Sequence, residues 1–544
     1  MGIDRNEGGS GGARVPDSLD ADALDLVAQA LDRDADDVNR ALQIVRQFLS
    51  ERELVVYGGL GLDYALRLKG DQIYPDDERP DYDMLSPRNV DDAYDLAERL
   101  HAAGLPRVEA KRALHVQTMR VWVNFVSVAD ISFVPAAAYA LIPTLRYGPP
   151  GEPPVRVVHP HWQFMDQHQA FCFPFRDPPR EPVFHRFGKD LRRYNRLYSH
   201  YPLDGEDGAD EGAGGATGGA AKAAAEGAEG ADRAGARLPV LPGRTALHGE
   251  AARCLLARMG EVAAGAAPAP LAGCDAGAGV VSVPAPAGWD GGAYALAACE
   301  ADGGAEVLRL LGYEPAGRYR PFLDVMPPVV VGRRAAGSDP AHPPVLLLFN
   351  HPARLLAAVT LEVAVGGARR PLRVASPQYL LMHYLFGYHV LQRGGGGGTV
   401  FDRYPPRPDA AACRRAYCEV RRQVAAGYAA VMARAAGLPD GQKAALLDAT
   451  PFGLTTQVLG DKNYGESQLI IAARDAMSAR RPPADPVLRA LVPGGSEVGR
   501  LPRRYAPAAG KPRPTFDYGA LEWFRWDGGE VGGEEAAETR QAAT

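Results

Sequence analysis

Three acids and a glycine pair, set in one order within 75 residues or so, constrain this chain more than any other feature. The segment LVVY (Leu54 to Tyr57) reads as a short buried strand, broken by Gly58-Gly59 just before the helix-like run LGLDYALRLK. Asp81 follows Gly59 by 22 residues, Asp83 comes two later, and Asp130 lies 47 beyond that in a hydrophobic strand. Successive strand side chains alternate faces, so Asp81 and Asp83 project the same way and can share cations. Carboxylate oxygens suit Mg²⁺, and paired ions can activate a hydroxyl and neutralise a triphosphate as pyrophosphate leaves. A lone Asp-x-Asp is common in surface turns. Its place in a strand, Gly-Gly, helix, Asp-x-Asp, strand-Asp order points to nucleotidyl transfer instead.

The stretch VWVNFVSVADISFV reads as one strand over 121–134. Its odd positions Val121, Val123, Phe125, Ala129, Ile131 and Phe133 form an apolar face. Asp130 lies on the other, mixed face, where a carboxylate is costly unless paired or liganded. His115, just ahead of that strand, is a candidate nucleotide contact. Lys189 and Arg193, four apart on a predicted helix face, are phosphate candidates. The loop DQIYPDDERP between Gly59 and Asp81 carries Asp76, Asp77 and Glu78, read as solvated.

These residues resemble a known family. The runs VVYGGLGLDYAL, PDYDMLSP and ALHVQTMRVWVNFVSVADISFVP are similar to the catalytic subunit of poly(A) polymerases of large nucleocytoplasmic DNA viruses, relatives of the poxvirus enzyme among the polymerase-beta-like nucleotidyltransferases. QAFCFPFRDPPREPVFHRFGKDLRRYNRLYSHYPL is similar to the segment after that family's catalytic sheet, so the clear likeness covers roughly residues 50–203. Beyond it the likeness is scattered, chiefly RVASPQYLLMHYLF and TPFGLTTQVLGDKNYG. The resemblance implies Asp81, Asp83 and Asp130 as the metal triad and Gly58 and Gly59 as the phosphate turn. It also implies ATP as substrate with two Mg²⁺ or Mn²⁺ ions, an RNA 3′ end as acceptor, and a second, degenerate nucleotidyltransferase-like domain. Some relatives are homodimers, whereas the poxvirus type uses a separate partner. The acids alone leave other acceptors open: a tRNA end, a small molecule or a protein hydroxyl. A non-catalytic RNA-binding subunit is a further alternative.

At 544 residues the chain has room for several mixed α/β domains. We expect disorder over 1–20, a catalytic domain with helical extensions over 21–203, a disordered acidic Gly/Ala insertion over 204–237, a second nucleotidyltransferase-like and helical domain over 238–526, and a disordered acidic tail over 527–544. In the second domain VLLLF, AAVTLEVAV and LRVAS read as strands and QYLLMHYLFGYHVL as a helix. Residues 401–480 read as mostly helical. The net charge of −6 argues against an RNA partner until it is located: residues 204–236 alone hold eight acids and two bases. Elsewhere lie the basic clusters RFGKDLRRYNR, CRRAYCEVRR and RRYAPAAGKPRP. Phe187, Tyr194, Tyr198 and Tyr201, interleaved with the first cluster, are candidates to stack on bases. Six scattered cysteines lack Cys-x2-Cys spacing, and no apolar run reaches transmembrane length. Neither a signal-peptide core nor the Ser or Thr of a myristoylation motif is present at the start, so the expected setting is intracellular: host cytoplasm or virion.

Overall fold

Strand pairing, more than helix packing, decides where the acids stand. The computed structural model describes residues 36–172 except 77, 79 and 114–117, residues 183–204, most of 237–442, and residues 501–518 and 530–531. A helix over 36–52 (α1) precedes the first sheet. That sheet contains β1 (Val55–Val56), β2 (Tyr82–Ser86), β3 (Glu109–Arg112), β4 (Thr118–Val123), β5 (Val126–Phe133), β6 (Thr144–Tyr147), β7 (Val155–Val158) and, from far along the chain, β18 (Arg504–Tyr505). Their order is β18-β3-β4-β5-β2-β1-β7-β6. Its helices are α2 (Gly58–Arg67), α3 (Asn89–Ala102), the short α4 (Ala136–Tyr139), α5 (Pro160–Cys172) and α6 (Val183–His200).

The pleat sorts residues by rung. Tyr505, Ala110, Val121, Ala129 and Tyr82 stand opposite one another on five neighbouring strands, and all are buried in one core with Val90, Ala93, Tyr94 and Ala97 of α3. The adjacent rung, Arg504, Lys111, Arg120, Asp130 and Asp83, points to the opposite face.

One expectation needs correction here. Residues 121–134 are not one strand but the second half of β4, a turn and β5. Asn124 and Phe125 both adopt positive φ, 45° and 67°, which closes a two-residue hairpin. Phe125, placed by the alternation on the apolar face, is instead 65% exposed at the tip. A period-two pattern runs unbroken through a two-residue turn, so it cannot reveal the reversal. A bulge follows: Val121 pairs with Ala129 but Trp122 with Ser127.

The second sheet joins β8 (Arg237–Val240), β9 (Thr245–His248), β10 (Leu271–Gly277), β11 (Val280–Pro284), β12 (Tyr294–Ala298), β13 (Glu314–Tyr319), β14 (Val329–Arg333), β15 (Val345–Asn350), β16 (Ala358–Val365), β17 (Ala368–Ala375) and β19 (Glu530–Val531). Its order begins β19-β13-β14-β15-β12-β9-β17-β16 and ends with β10-β11-β8. The first eight repeat the first sheet strand for strand, with the same parallel or antiparallel relation at every pair. The helices recur as well. After β9 come α7 (Gly249–Cys254) and α8 (Leu256–Ala263), between β12 and β13 lies α9 (Gly304–Leu310), and after β17 comes α10 (Pro377–Gln392). The expected second nucleotidyltransferase-like fold is therefore visible as a repeated topology.

The halves share a core. Buried His168 of α5 is hydrogen-bonded to Gln378 of α10 at 2.9 Å and to Tyr417 of the long helix Ala410–Ala435 at 3.0 Å. Tyr194 and Tyr198, offered above as base-stacking residues, are core residues too: both are buried, and the Tyr194 hydroxyl meets that of Tyr417 at 3.0 Å. Helical spacing puts them on the inner face of α6. Part of the cluster CRRAYCEVRR also turns inward, since Arg421 lies over the Tyr198 ring at 3.4 Å and Arg414 donates to the Leu203 carbonyl at 2.6 Å. The expectations for 1–20, most of the 204–237 insertion, 443–500 (with TPFGLTTQVLGDKNYG), 527–529 and 532–544 lie outside the described residues, whereas Glu530–Val531, inside the stretch expected to be a disordered tail, form β19.

The segment 501–518 completes the first half. Tyr505 packs on Tyr94 with ring centroids 4.6 Å apart. The Tyr518 hydroxyl accepts from the Val90 and Asp91 amides, both at 3.0 Å. The N-cap of α3, Arg88, supplies no side-chain hydrogen bond, so a residue some 430 positions away caps that helix. Tyr518→Phe keeps the ring but removes the acceptor. We expect it to cost about 1 kcal/mol in urea denaturation of the full chain.

Candidate active site

Strand β1 leads through Tyr57, in extended backbone, directly into Gly58 at φ +65°. Gly58 and Gly59 are thus the first two residues of α2 rather than a turn ahead of it. A side chain at Gly58 would be strained by the backbone and would collide with the Asp83 carboxylate, which lies against this first turn. The first-turn amides of a helix lack intrahelical partners and carry the positive end of its dipole. Tyr57, the N-cap, gives them no side-chain hydrogen bond. This end of α2 is therefore suited to anionic oxygens.

Asp83 and Asp130 are direct neighbours, and Asp81 feels the charge of Asp130. Asp83 stands opposite Asp130 on the parallel strands β2 and β5. Asp81, just ahead of β2, accepts from the Ser127 hydroxyl at 3.3 Å. Burial, and then the charge of Asp130, push the Asp81 carboxyl above the usual carboxylate range. Asp130 is buried and held from both sides of a fork by Arg120, its cross-strand neighbour, with Nε 2.6 Å from Oδ1. Behind the acids, Tyr57, Ser132 and Thr118 form a row of hydroxyls at 2.8 Å spacings. Among the described residues no three acids, histidines or cysteines already converge as a metal cage. The donors nonetheless fit a divalent cation. They are carboxylate oxygens on one face of the sheet, with Asp81 raised by burial and then by the charge of Asp130, a cost that a cation would relieve; Arg120 already pairs with both oxygens of Asp130.

Across the first turn of α2, the Tyr74 hydroxyl and Arg193 close on Gly59, where a Cβ would lie 3.4 Å from Arg193 Nη1 and would collide with the phenol oxygen. Arg193 donates to that phenol at 2.9 Å. Buried Asp63 sets the loop, accepting from the amides of Ile73 at 2.6 Å and Tyr74 at 3.0 Å, while Arg67 donates to the Tyr74 carbonyl at 2.8 Å. Arg193 therefore reaches the helix end that the spacing suggested. His115 and the side chain of Lys189 lie outside the described residues. Asp76 and Glu78 are exposed, as read, and Asp77 lies outside. Arg120 and Tyr74 were missed. A hairpin read at Asn124-Phe125 puts Arg120 opposite Ala129, and only the bulge beside Val121 and Trp122 shifts it to Asp130; nothing local marks Tyr74.

The repeated half keeps the geometry without the charge. His248 precedes Gly249, whose φ is +59°, as Tyr57 precedes Gly58. Opposite His248 stands Ala295, and opposite Ala295 stands Leu347. Alanine and leucine thus occupy the places of Asp83 and Asp130.

Comparison with known proteins concerns the same stretch of the chain. Residues 43–177 match the family model described as the poly(A) polymerase catalytic subunit. The likeness drawn from the sequence holds. A protein of African swine fever virus (isolate Pig/Kenya/KEN-50/1950) that carries the name of a poly(A) polymerase catalytic subunit is 49% identical over 178 residues, 33% of this chain and 36% of that protein. One of Acanthamoeba polyphaga mimivirus with the same name is 26% identical over 196 residues, 36% of this chain and 32% of its own length. This chain thus spans about a third of the length of the curated relatives it matches. In overall fold it is similar to the crystal structure of the Megavirus polyadenylate synthase, with a TM-score of 0.50, 14% identity and 87% of each chain covered. That likeness extends over both halves.

Two outcomes follow from the site. Gly58→Ala should lose about 1–2 kcal/mol to the left-handed backbone alone. It should also cost more than Gly249→Ala, where the new Cβ would face only the Ala295 Cβ at 3.3 Å; paired urea titrations measure the difference. The second concerns Asp166 on α5, whose side chain is exposed while the protein around it pushes its carboxyl up to about 7. An unfolded Asp titrates near 4, so between about pH 4 and 7 the folded state binds the extra proton and this group's contribution to stability falls as pH rises. The stability of Asp166→Asn relative to wild type should therefore grow from pH 4 to 7 and then level off. A difference that stays flat across denaturation curves at pH 4.5, 6 and 8 would refute it.

Proposed function

We propose that this chain is a template-independent polynucleotide adenylyltransferase that adds AMP from ATP to RNA 3′ ends. The observation that carries the reading is the direct register of Asp83 with Asp130 beside a helix N-terminus that only glycine can form, within the stretch that matches the poly(A) polymerase catalytic subunit model. In this reading the 3′ oxygen attacks the α-phosphorus in line, a new O–P bond forms, and pyrophosphate leaves. The first-turn amides at Gly58 and Gly59, with Arg193, hold the β- and γ-phosphates. Asp81, Asp83 and Asp130 would hold Mg²⁺ or Mn²⁺, two ions in the full reading, which would lower the pKa of the attacking hydroxyl and offset the triphosphate charge. Arg120 fixes the Asp130 carboxylate, and the Tyr57, Ser132 and Thr118 row fixes the floor beneath it. The second cleft, with Ala295 and Leu347 in the acid positions, serves as scaffold rather than catalyst. Residues 204–236 act as an acidic connector outside the chemistry, and the protein works in the host cytoplasm or virion.

Primer extension tests this. Purified full-length protein should lengthen an RNA primer with ATP in preference to the other three nucleotides, and EDTA should stop it. Asp81→Asn with Asp83→Asn, and separately Asp130→Asn, should each lower extension by orders of magnitude, since removing charge at a metal site forfeits several kcal/mol of transition-state stabilisation. Equal use of all four nucleotides would sink the adenylate assignment, and near wild-type extension by the Asp130 variant would sink the triad.

A further inference from the structure

The rung that carries Asp83 and Asp130 runs on into positive charge. Asp130 stands opposite Arg120, Arg120 opposite Lys111, and Lys111 opposite Arg504. Two acids are thus followed, strand by strand, by three cations on the same face. Neighbouring strands lie about 4.8 Å apart, so the row from Asp130 to Arg504 extends on the order of 14 Å. The cations are held in place: buried Glu109 forms ion pairs with both Lys111 and Arg504. One acid between two cations leaves net positive charge, and the Lys111 and Arg504 side chains remain 38% and 64% exposed. On the next rung of this face Trp122 stands opposite Glu109, with Lys111 Nζ 5.6 Å and Arg120 Cζ 5.9 Å from its ring. At the hairpin tip beyond it Phe125 is exposed, with the Arg107 guanidinium 4.9 Å from its ring.

A row of cations beside an indole, ending at the acids, has the chemistry of a surface for single-stranded nucleic acid, where cations take phosphates and aromatic faces take bases. It also runs against the bulk composition, whose net charge is −6. We propose that the Arg120, Lys111 and Arg504 row, together with Trp122, is the track on which single-stranded RNA lies with its 3′ end at Asp130. This rests on the nucleotidyl-transfer reading for its direction, though not for RNA binding itself.

The test uses the full chain and a labelled 15-nucleotide single-stranded RNA, with fluorescence anisotropy read in EDTA across a salt series. Lys111→Gln with Arg504→Gln keeps hydrogen-bonding groups beside Glu109 and removes two charges. The slope of log affinity against log salt should become shallower by about 1.4, at about 0.7 per lost phosphate contact on a single strand. Affinity at low salt should fall at least tenfold. Trp122→Ala should weaken binding about tenfold with the salt slope unchanged, and Trp122→Phe should recover most of that loss. In extension assays the double variant should raise the primer KM about tenfold and leave the ATP KM within twofold. An unchanged slope and primer KM in the double variant would overturn the track, including the case in which an acidic protein is what the row receives. Wild-type protein that binds RNA with the expected variant effects but never extends it would leave the track standing and remove the nucleotidyl-transfer reading. If the double variant does not fold, Arg504→Gln alone, at an exposed position, should still lower the slope by about 0.7.

Discussion

The pairing of β2 with β5, in the register that sets Asp83 opposite Asp130, is the constraint on which the site depends. A slip of one residue would turn Asp130 into the core beneath α3 and bring Ala129 to the open face. The register is held by the rung next to it, where Tyr82, Ala129, Val121, Ala110 and Tyr505 are all buried. Apolar burial on one face thus fixes the placement of charge on the other. The carboxylates would be costly in that position without compensation. Arg120 supplies part of it at Asp130, and the first turn of α2 faces Asp83.

The same topology occurs twice, and the repeat separates scaffold from chemistry. Both halves pass from a strand through one extended residue into a glycine of positive φ and a helix, and both pair the next strand antiparallel on one side and parallel on the other. What differs is the side chain opposite that entry: Asp83 in one half, Ala295 in the other. Both residues are half-buried, so the two halves differ there in charge rather than in exposure. It also gives α5 and α6 a surface to pack on, through His168, Gln378, Tyr194 and Tyr417.

Electrostatics and chain order are decoupled in this protein. The acidic excess lies in 204–236 and the tail, whereas the open face of the first sheet carries a cation row built from β3, β4 and a strand near residue 504. Part of a basic helical sequence is meanwhile used internally, with Arg421 over Tyr198 and Arg414 on a backbone carbonyl. Clusters of charge along the chain are therefore poor guides to charged surfaces, because a helix turns successive residues to different sides whereas a sheet aligns residues from distant segments.

Read alone, the sequence determined what local rules can reach. Asp81 and Asp83 share a face because strands alternate with period two, Gly58-Gly59 breaks the first strand ahead of a helix, and the apolar runs mark strands in both halves. Only the tertiary structure decided what depends on register and closure. Asn124-Phe125 turns one apparent strand into a hairpin, and that turn together with the bulge beside Val121 and Trp122 sets Arg120 against Asp130. Tyr74 reaches Gly59 because Asp63 ties down its loop, and Tyr518 caps α3 from the far end of the chain. Local propensity and period act over a few residues. Contacts between segments far apart are selected by the burial they achieve together, a free energy that no single segment carries.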